Sequence, residues 1–226
     1  MKPLTSRITV IVSVLCLAMT LMASSAFAAE KKKKDPGKKL YMTSTCMACH
    51  GRKGQKAIMD YPNLAGQSQA YMIKQINYIL KGKRLGSPDA TGHPRSRGMV
   101  GALTTPEDGK PTISKKQIRL ITSWLAKMEP AKIKPPKEPF DPVSVAAGKK
   151  LFKKKCKACH GKEGKKPLKG NPYVAGQKRS YLYIQLKDIQ SKARKTPKTI
   201  GMYNIIKKMS DQQFNSLADY LSQIKR

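Results

Sequence analysis

Cys46-Met47-Ala48-Cys49-His50 and Cys156-Lys157-Ala158-Cys159-His160 each set two thiols three positions apart with an imidazole directly after them, and the two copies lie 110 positions apart. Thiols at this spacing can form thioethers to the two vinyl groups of a porphyrin. The adjacent histidine is then the residue placed to ligate the iron, and C-x-x-C-H is the attachment signature of a c-type haem. Zinc is the rival reading of paired C-x-x-C motifs. Zinc knuckles place the second pair roughly 15–20 residues after the first and need no histidine beside each pair, so the separation and both histidines argue against it. Of five cysteines, four sit in the motifs and Cys16 lies in the apolar N-terminus. No thiol remains for a disulfide or for nucleophilic catalysis, and the expected cofactors are two covalently bound haem c groups with their iron.

Each iron has room for a second axial ligand beyond His50 and His160. The one further histidine is His93, before Pro94 in a glycine-rich basic loop, and it reads as solvent-exposed. Methionine thioether suits the iron of a high-potential haem, and Gly98-Met99 and Gly201-Met202 offer one in each half of the chain. These two methionines are the expected metal ligands, in loops between a middle and a last helix. Met209 is the competing candidate, because 99 plus the 110-residue offset lands on it. The register has shifted by that point, however, and Met209 aligns with Ile113 just before a capping serine, a place for a core residue. Met42, Met47, Met59, Met72 and Met128 read as packing residues.

The repeat that carries the motifs runs through the chain. Pro62-Asn63-Leu64-Ala65-Gly66-Gln67 answers to Pro172-Tyr173-Val174-Ala175-Gly176-Gln177, and Tyr71 and Gln75 answer to Tyr181 and Gln185. Towards the end of each half Ser114 pairs with Ser210 and Trp124 with Tyr220, so the offset has dropped and the first half carries an insertion, Thr104–Pro111. Each half is expected to be helical. A first helix leads into the haem motif (37–45 and 143–155), the second copy capped by Asp141 with Pro142 in its first turn. Middle helices span 70–81 and 180–193. Last helices open on Ser114-x-x-Gln117 and Ser210-x-x-Gln213, both capping-box patterns, with apolar positions 118, 121, 125, 128 and 214, 217, 221, 224 on one face. The fold class is all-α. The expected organisation is a signal peptide 1–28, a basic tail 29–35, a first domain 36–128, a Pro/Lys-rich extended linker 129–142 and a second domain 143–226.

Lys2 and Arg7, the apolar run 8–22 and Ala26-Phe27-Ala28 form an export signal with a cleavage site. The apolar run is short for a bilayer span of roughly 20 residues; an uncleaved anchor is the alternative. A periplasmic location follows. The whole chain carries 46 basic and 13 acidic residues, +33. Such an excess commonly means polyanion binding, but export and haem attachment argue against nucleic acid. Acidic redox proteins, or an anionic membrane surface beside a membrane-bound oxidase, are the expected partners. A generally lysine-rich surface without specific docking is the other reading.

Two C-x-x-C-H motifs, each followed by P-x-x-A-G-Q, a tyrosine four residues on, a Gly-Met dipeptide and a capped last helix, resemble a di-haem class I cytochrome c of the cytochrome c4 type, over residues 36 to 226. The resemblance implies two tandem cytochrome c-like domains, each wrapped round its haem and related by a pseudo-twofold axis. It also implies that the carbonyls of Pro62 and Pro172 accept from Nδ1 of His50 and His160, and that Gln67, Tyr71, Gln177 and Tyr181 line the haem or the domain interface. The implied activity is electron carriage in the periplasm from an upstream donor, commonly towards a terminal oxidase. The chain is more basic than this family usually is. Lysines 149, 150, 153, 154, 155 and 157 crowd the second motif, against Lys38, Lys39, Arg52, Lys53 and Lys56 at the first, so the second domain is expected to dock the more acidic partner. The alternative is a haem-bearing subunit of a larger periplasmic oxidoreductase, a dehydrogenase or peroxidase. Independent catalysis is disfavoured, since Met99 and Met202 close the sixth position and no paired carboxylate lies near either motif.

Overall fold

The computed structural model describes residues 35–226; the export signal, its cleavage site and the lysine tail lie outside the described residues. The described residues hold ten α-helices: α1 Pro36–Thr43, α2 Cys46–His50, α3 Gln69–Leu80, α4 Arg97–Leu103, α5 Lys115–Ala126, α6 Pro142–Lys155, α7 Lys157–His160, α8 Arg179–Gln190, α9 Thr199–Ile206 and α10 Asp211–Ser222. No β-strand occurs among the described residues, which hold only two isolated bridges, Pro88 with Pro94 and Thr104 with Pro111.

Local chemistry explains the helix starts. Asp35 and Asp141 each accept from two backbone N–H groups, with proline in the first turn of α1 and α6, which satisfies donors the helix itself leaves orphaned. Both capping boxes are complete: the Ser114 and Ser210 hydroxyls accept from the third helical residue, whose glutamine side chain accepts from the capping serine's own N–H. Their apolar faces pack inward, with Ile118, Ile121 and Leu125 buried in one core and Phe214, Leu217 and Leu221 in the other.

The first and last helices of each half cross where a glycine lets the backbones touch. A β-carbon on Gly37 would sit 2.2 Å from the Leu120 carbonyl oxygen, and one on Gly148 would sit 1.9 Å from that of Ser216. An aromatic pair seals each crossing, Tyr41 on Trp124 with ring centroids 5.1 Å apart and Phe152 on Tyr220 at 5.9 Å.

The structure differs from the sequence expectation in three places. Both methionine segments are short helices, α4 and α9, rather than loops; at seven and eight residues, without side-chain caps, they are too short to show periodicity. The second middle helix ends at Gln190, because Lys192 takes a left-handed φ of 65°. The insertion in the first half is split: segment 81–96 replaces the shorter 191–198, and 104–114 replaces 207–210.

Residues 35–226 form one compact unit, and the two halves meet through hydrogen bonds that repeat at the 110-residue offset. Gln67 Nε2 donates to the Tyr173 carbonyl while Tyr173 N–H donates to Gln67 Oε1, both at 2.9 Å. Gln177 makes the same two-point bond to Asn63, at 2.9 and 3.0 Å. This reciprocal exchange is a pseudo-twofold relation written in side-chain amides. The linker lies along the same seam rather than standing free: Pro130 approaches Gly66, and Ile133 approaches Gly176.

Gly148→Ala should lower stability despite a helix-propensity gain of about 1 kcal/mol. The new methyl meets backbone, and overpacking of this kind costs about 1–3 kcal/mol; a denaturant midpoint at or above wild type would contradict the close crossing. Gln67→Ala strands two half-buried backbone groups on Tyr173 and should cost about 1 kcal/mol. The double variant Gln67→Ala/Gln177→Ala should resolve two calorimetric transitions where the wild type gives one.

Candidate functional site

The motif residues sit on α2 and α7, single helical turns that follow directly on the long first helices. A break at Ser44 and Thr45, the latter with φ 58°, separates α2 from α1; Cys156 itself is the hinge between α6 and α7. Tyr41, fully buried in α1, donates to the Gly51 carbonyl at 2.7 Å, tying the turn after His50 to the helix crossing. Phe152 takes the matching place in the second half and has no hydroxyl to do so.

Both histidines are aimed by the same bond. Nδ1 of His50 lies 2.9 Å from the Pro62 carbonyl oxygen, and Nδ1 of His160 lies 3.1 Å from that of Pro172. A carbonyl can only accept, so Nδ1 carries the proton and the Nε2 lone pair is left free, the tautomer a metal ligand needs. Burial pushes both imidazole pKa values below their ordinary range, with the proline carbonyl pulling each back and, for His50, the Arg84 charge pushing it down further. A neutral imidazole is the ligating form.

Burial raises the Cys46 thiol, and raises that of Cys156 to about 11. A thiol raised in this way is not an activated thiolate. Among the described residues no group of three or more His, Cys, Asp or Glu is placed to hold a bare metal ion. The residues present fit a haem in each half: two thiols, an oriented imidazole, and a thioether on a separate short helix.

That thioether is Met99 on α4 and Met202 on α9. Met99 packs at the edge of the first core together with Cys46, and Met202 at the edge of the second together with Cys156. Tyr61 links the sides of the first site. Its ring centroid lies 6.2 Å from that of His50, and its hydroxyl lies 3.7 Å from where a β-carbon on Gly98 would be. Met209 is buried in the core among Ile206, Phe214 and Leu217. His93 is exposed and shares a tight turn with Asp89, whose backbone N–H donates to the His93 carbonyl.

Gln67 and Gln177 belong to the seam between halves. Tyr71 and Tyr181 also lie there, but their partners were not anticipated: Arg194 donates to the Tyr71 hydroxyl and Arg84 to that of Tyr181. The two arginines themselves stand 110 residues apart, so the offset that found the tyrosines would have found them. Lys178 was missed as well; its ammonium caps the carbonyls of Ala57, Ile58 and Met59 across the seam.

The cytochrome c family model matches residues 35–129 and 145–225, once in each half. Cytochrome c4 of Stutzerimonas stutzeri is 29% identical over 217 residues, covering 92% of this chain and 94% of that protein. The thiosulfate dehydrogenase electron acceptor of Thiomonas intermedia is 23% identical over 188 residues, covering 79% of this chain and 78% of that protein. Among solved structures, reduced recombinant cytochrome c4 from Pseudomonas stutzeri superposes with a TM-score of 0.63 at 24% identity, over 85% of this chain and 98% of that one. With the motif duplicated, the family matched twice and the tandem helical fold shared along its length, the chain belongs to the cytochrome c family, as a di-haem electron carrier of the cytochrome c4 type.

Proposed function

We propose that this protein shuttles single electrons in the periplasm from an upstream donor towards a membrane-bound terminal oxidase, with His50 and Met99 as axial ligands of one haem and His160 and Met202 of the other. The observation that carries this reading is the repeated site itself: in each half an imidazole held by a proline carbonyl, with a methionine on a separate helix beside the same core. The bound haem supplies reversible one-electron cycling of its iron, which breaks no bond. The chain's task is to keep the ligands still and to leave a surface for docking. His/Met ligation and a largely apolar surround favour a positive potential.

No described helix is long and apolar enough to cross a membrane, in keeping with a carrier that moves between partners. Residues beside each motif are suited to brief docking. Ile58 and Leu168, whose N–H groups bond the carbonyls of Cys49 and Cys159, are 49% and 61% exposed. Lys149, Lys150, Lys153, Lys154, Lys155 and Lys157 are all exposed around the second motif. A small apolar spot ringed by like charges steers an acidic partner into place without holding it, and an anionic membrane surface would concentrate the carrier in the same way.

The likeness to a thiosulfate dehydrogenase electron acceptor supports a second reading, a haem-bearing acceptor for a periplasmic dehydrogenase. Rapid reduction by such an enzyme, with co-purification of the pair, would favour it over the oxidase shuttle.

Met202→Ala should abolish half of the far-red absorption band that reports iron–methionine bonding and lower one haem's potential. Met209→Ala should leave the band whole while costing about 2–5 kcal/mol of stability as a core truncation; the reverse pattern would transfer the ligand role to Met209. Stopped-flow transfer to a purified oxidase should slow about tenfold between low and physiological salt, where the Debye length is about 8 Å. Lys153→Glu/Lys154→Glu should slow it more than Lys38→Glu/Lys39→Glu, and a salt-independent rate would remove the docking argument.

A further inference from the structure

Lys178 occupies the N-cap of α8, a position at which the first half has a serine. Ser68, 110 residues earlier, caps α3 by accepting from the Tyr71 N–H at 3.4 Å. A lysine side chain has no acceptor to offer a helix start, and α8 begins without a side-chain cap. The Lys178 side chain crosses to the first half instead. There its ammonium donates to the carbonyls of Ala57 at 3.1 Å, Ile58 at 3.3 Å and Met59. An ammonium carries three donors, and three consecutive carbonyls take them.

The turn that gathers these carbonyls holds Met59 at a left-handed φ of 42°. Such a conformation is costly for a residue other than glycine and persists where its surroundings over-determine it. The matching loop of the second half is built differently. Lys169 stands at the place of Met59, and the positive φ, 86°, falls on Gly170. Glycine takes such angles freely, so that loop carries no comparable strain. The loop that needs an outside tie is the one that Lys178 reaches.

The same loop walls the first site. The Ile58 N–H donates to the Cys49 carbonyl at 3.0 Å, and the Ile58 carbonyl held by Lys178 also accepts from the Tyr61 N–H at 3.1 Å. The next residue is Pro62, whose carbonyl accepts from Nδ1 of His50. We propose that Lys178 is a positioning residue for the first haem: from the second half it holds the 57–62 loop, and through that loop the carbonyl that orients His50. In the second half Pro172 follows a loop whose turn falls on glycine, so the first imidazole depends on the seam more than the second does. The inference rests on His50 as a ligand of the first haem and is independent of which redox partner the carrier serves.

Lys178→Ser tests this in the reduced holoprotein, since serine offers α8 the cap that Ser68 gives α3 and so favours folding. Hydrogen exchange followed by NMR should quicken about tenfold at the Ile58 N–H and the His50 Nδ1–H, the loss expected of one hydrogen bond to a charged group. The matching protons, on the Leu168 nitrogen and on His160 Nδ1, should keep their wild-type rates. Lys178→Arg, which keeps the charge and its donors, should restore most of the protection. A wild-type rate at the His50 proton would overturn the proposal, and so would equal quickening in both halves, the mark of a general pin of the seam. Where the serine variant does not accumulate, Lys178→Met, which keeps the stem, carries the same test. Ligation is checked separately in the oxidised wild type labelled with 15N-histidine, where imidazole nitrogen coupling is expected at both irons. Coupling absent from the iron of the haem attached at Cys46 and Cys49 would remove His50 as a ligand, and the proposal with it, whatever the exchange rates.

Discussion

Each half hangs on a contact that admits no side chain, the crossing of its first helix over its last at Gly37 or Gly148. Because the backbones touch there, the aromatic residue one turn further on lands against Trp124 or Tyr220 and sets the depth at which the first helix ends. The thiol–imidazole turn begins within a few residues of that point. In the first half the link is continuous: Gly37 fixes the crossing, Tyr41 is buried by it, and the Tyr41 hydroxyl holds Gly51 next to the motif histidine, His50. In the second half Phe152 gives the packing without the hydrogen bond, so the α7 turn relies on the Pro172 carbonyl and the Asn171 amide bonded to Cys159. Two sites of one design are thereby held by different contacts.

The seam between halves is polar, which is unusual for a contact that must stay closed. Its bonds are two-point and reciprocal, glutamine amides reading the backbone of the facing half in both directions. Such contacts fix orientation more than they add affinity, because each exchanges water hydrogen bonds for protein ones at a net gain of about 1 kcal/mol. Orientation is what two haems in one carrier require, since electron transfer between them depends on a constant separation. Arg226 adds a last tie, with its guanidinium over the Tyr173 ring and one nitrogen 2.9 Å from the Ala65 carbonyl oxygen.

Charge divides into two populations with different duties. Most lysines are exposed, where salt screens their charge. Arg84 and Arg194 lie at the seam, where charge is felt at short range and in a lower dielectric. Net charge alone cannot separate these populations. Burial does.

The cofactor, the helical class and the duplication were legible in the residues themselves, because covalent haem attachment needs fixed chemistry at fixed spacing and a repeat keeps its offset. The histidine and cysteine positions and both capping boxes follow from local chemistry. Twelve-residue helices with good caps, such as α5 and α10, announce themselves by period; α4 and α9, at seven and eight residues without caps, do not, since tertiary packing rather than propensity stabilises them. Met209 shows the limit of counting. An offset of 110 from Met99 points to it, whereas the Gly-Met dipeptide points to Met202, and the insertion, split between 81–96 and 104–114, is where the register shifts. The sequence placed Arg84 and Arg194 at matching positions among 46 basic residues. That Arg194 leaves solvent and that both arginines cross the seam to neutral hydrogen-bond partners was decided by the docking of the two halves, because burial and partners are properties of three-dimensional neighbours and not of residue order.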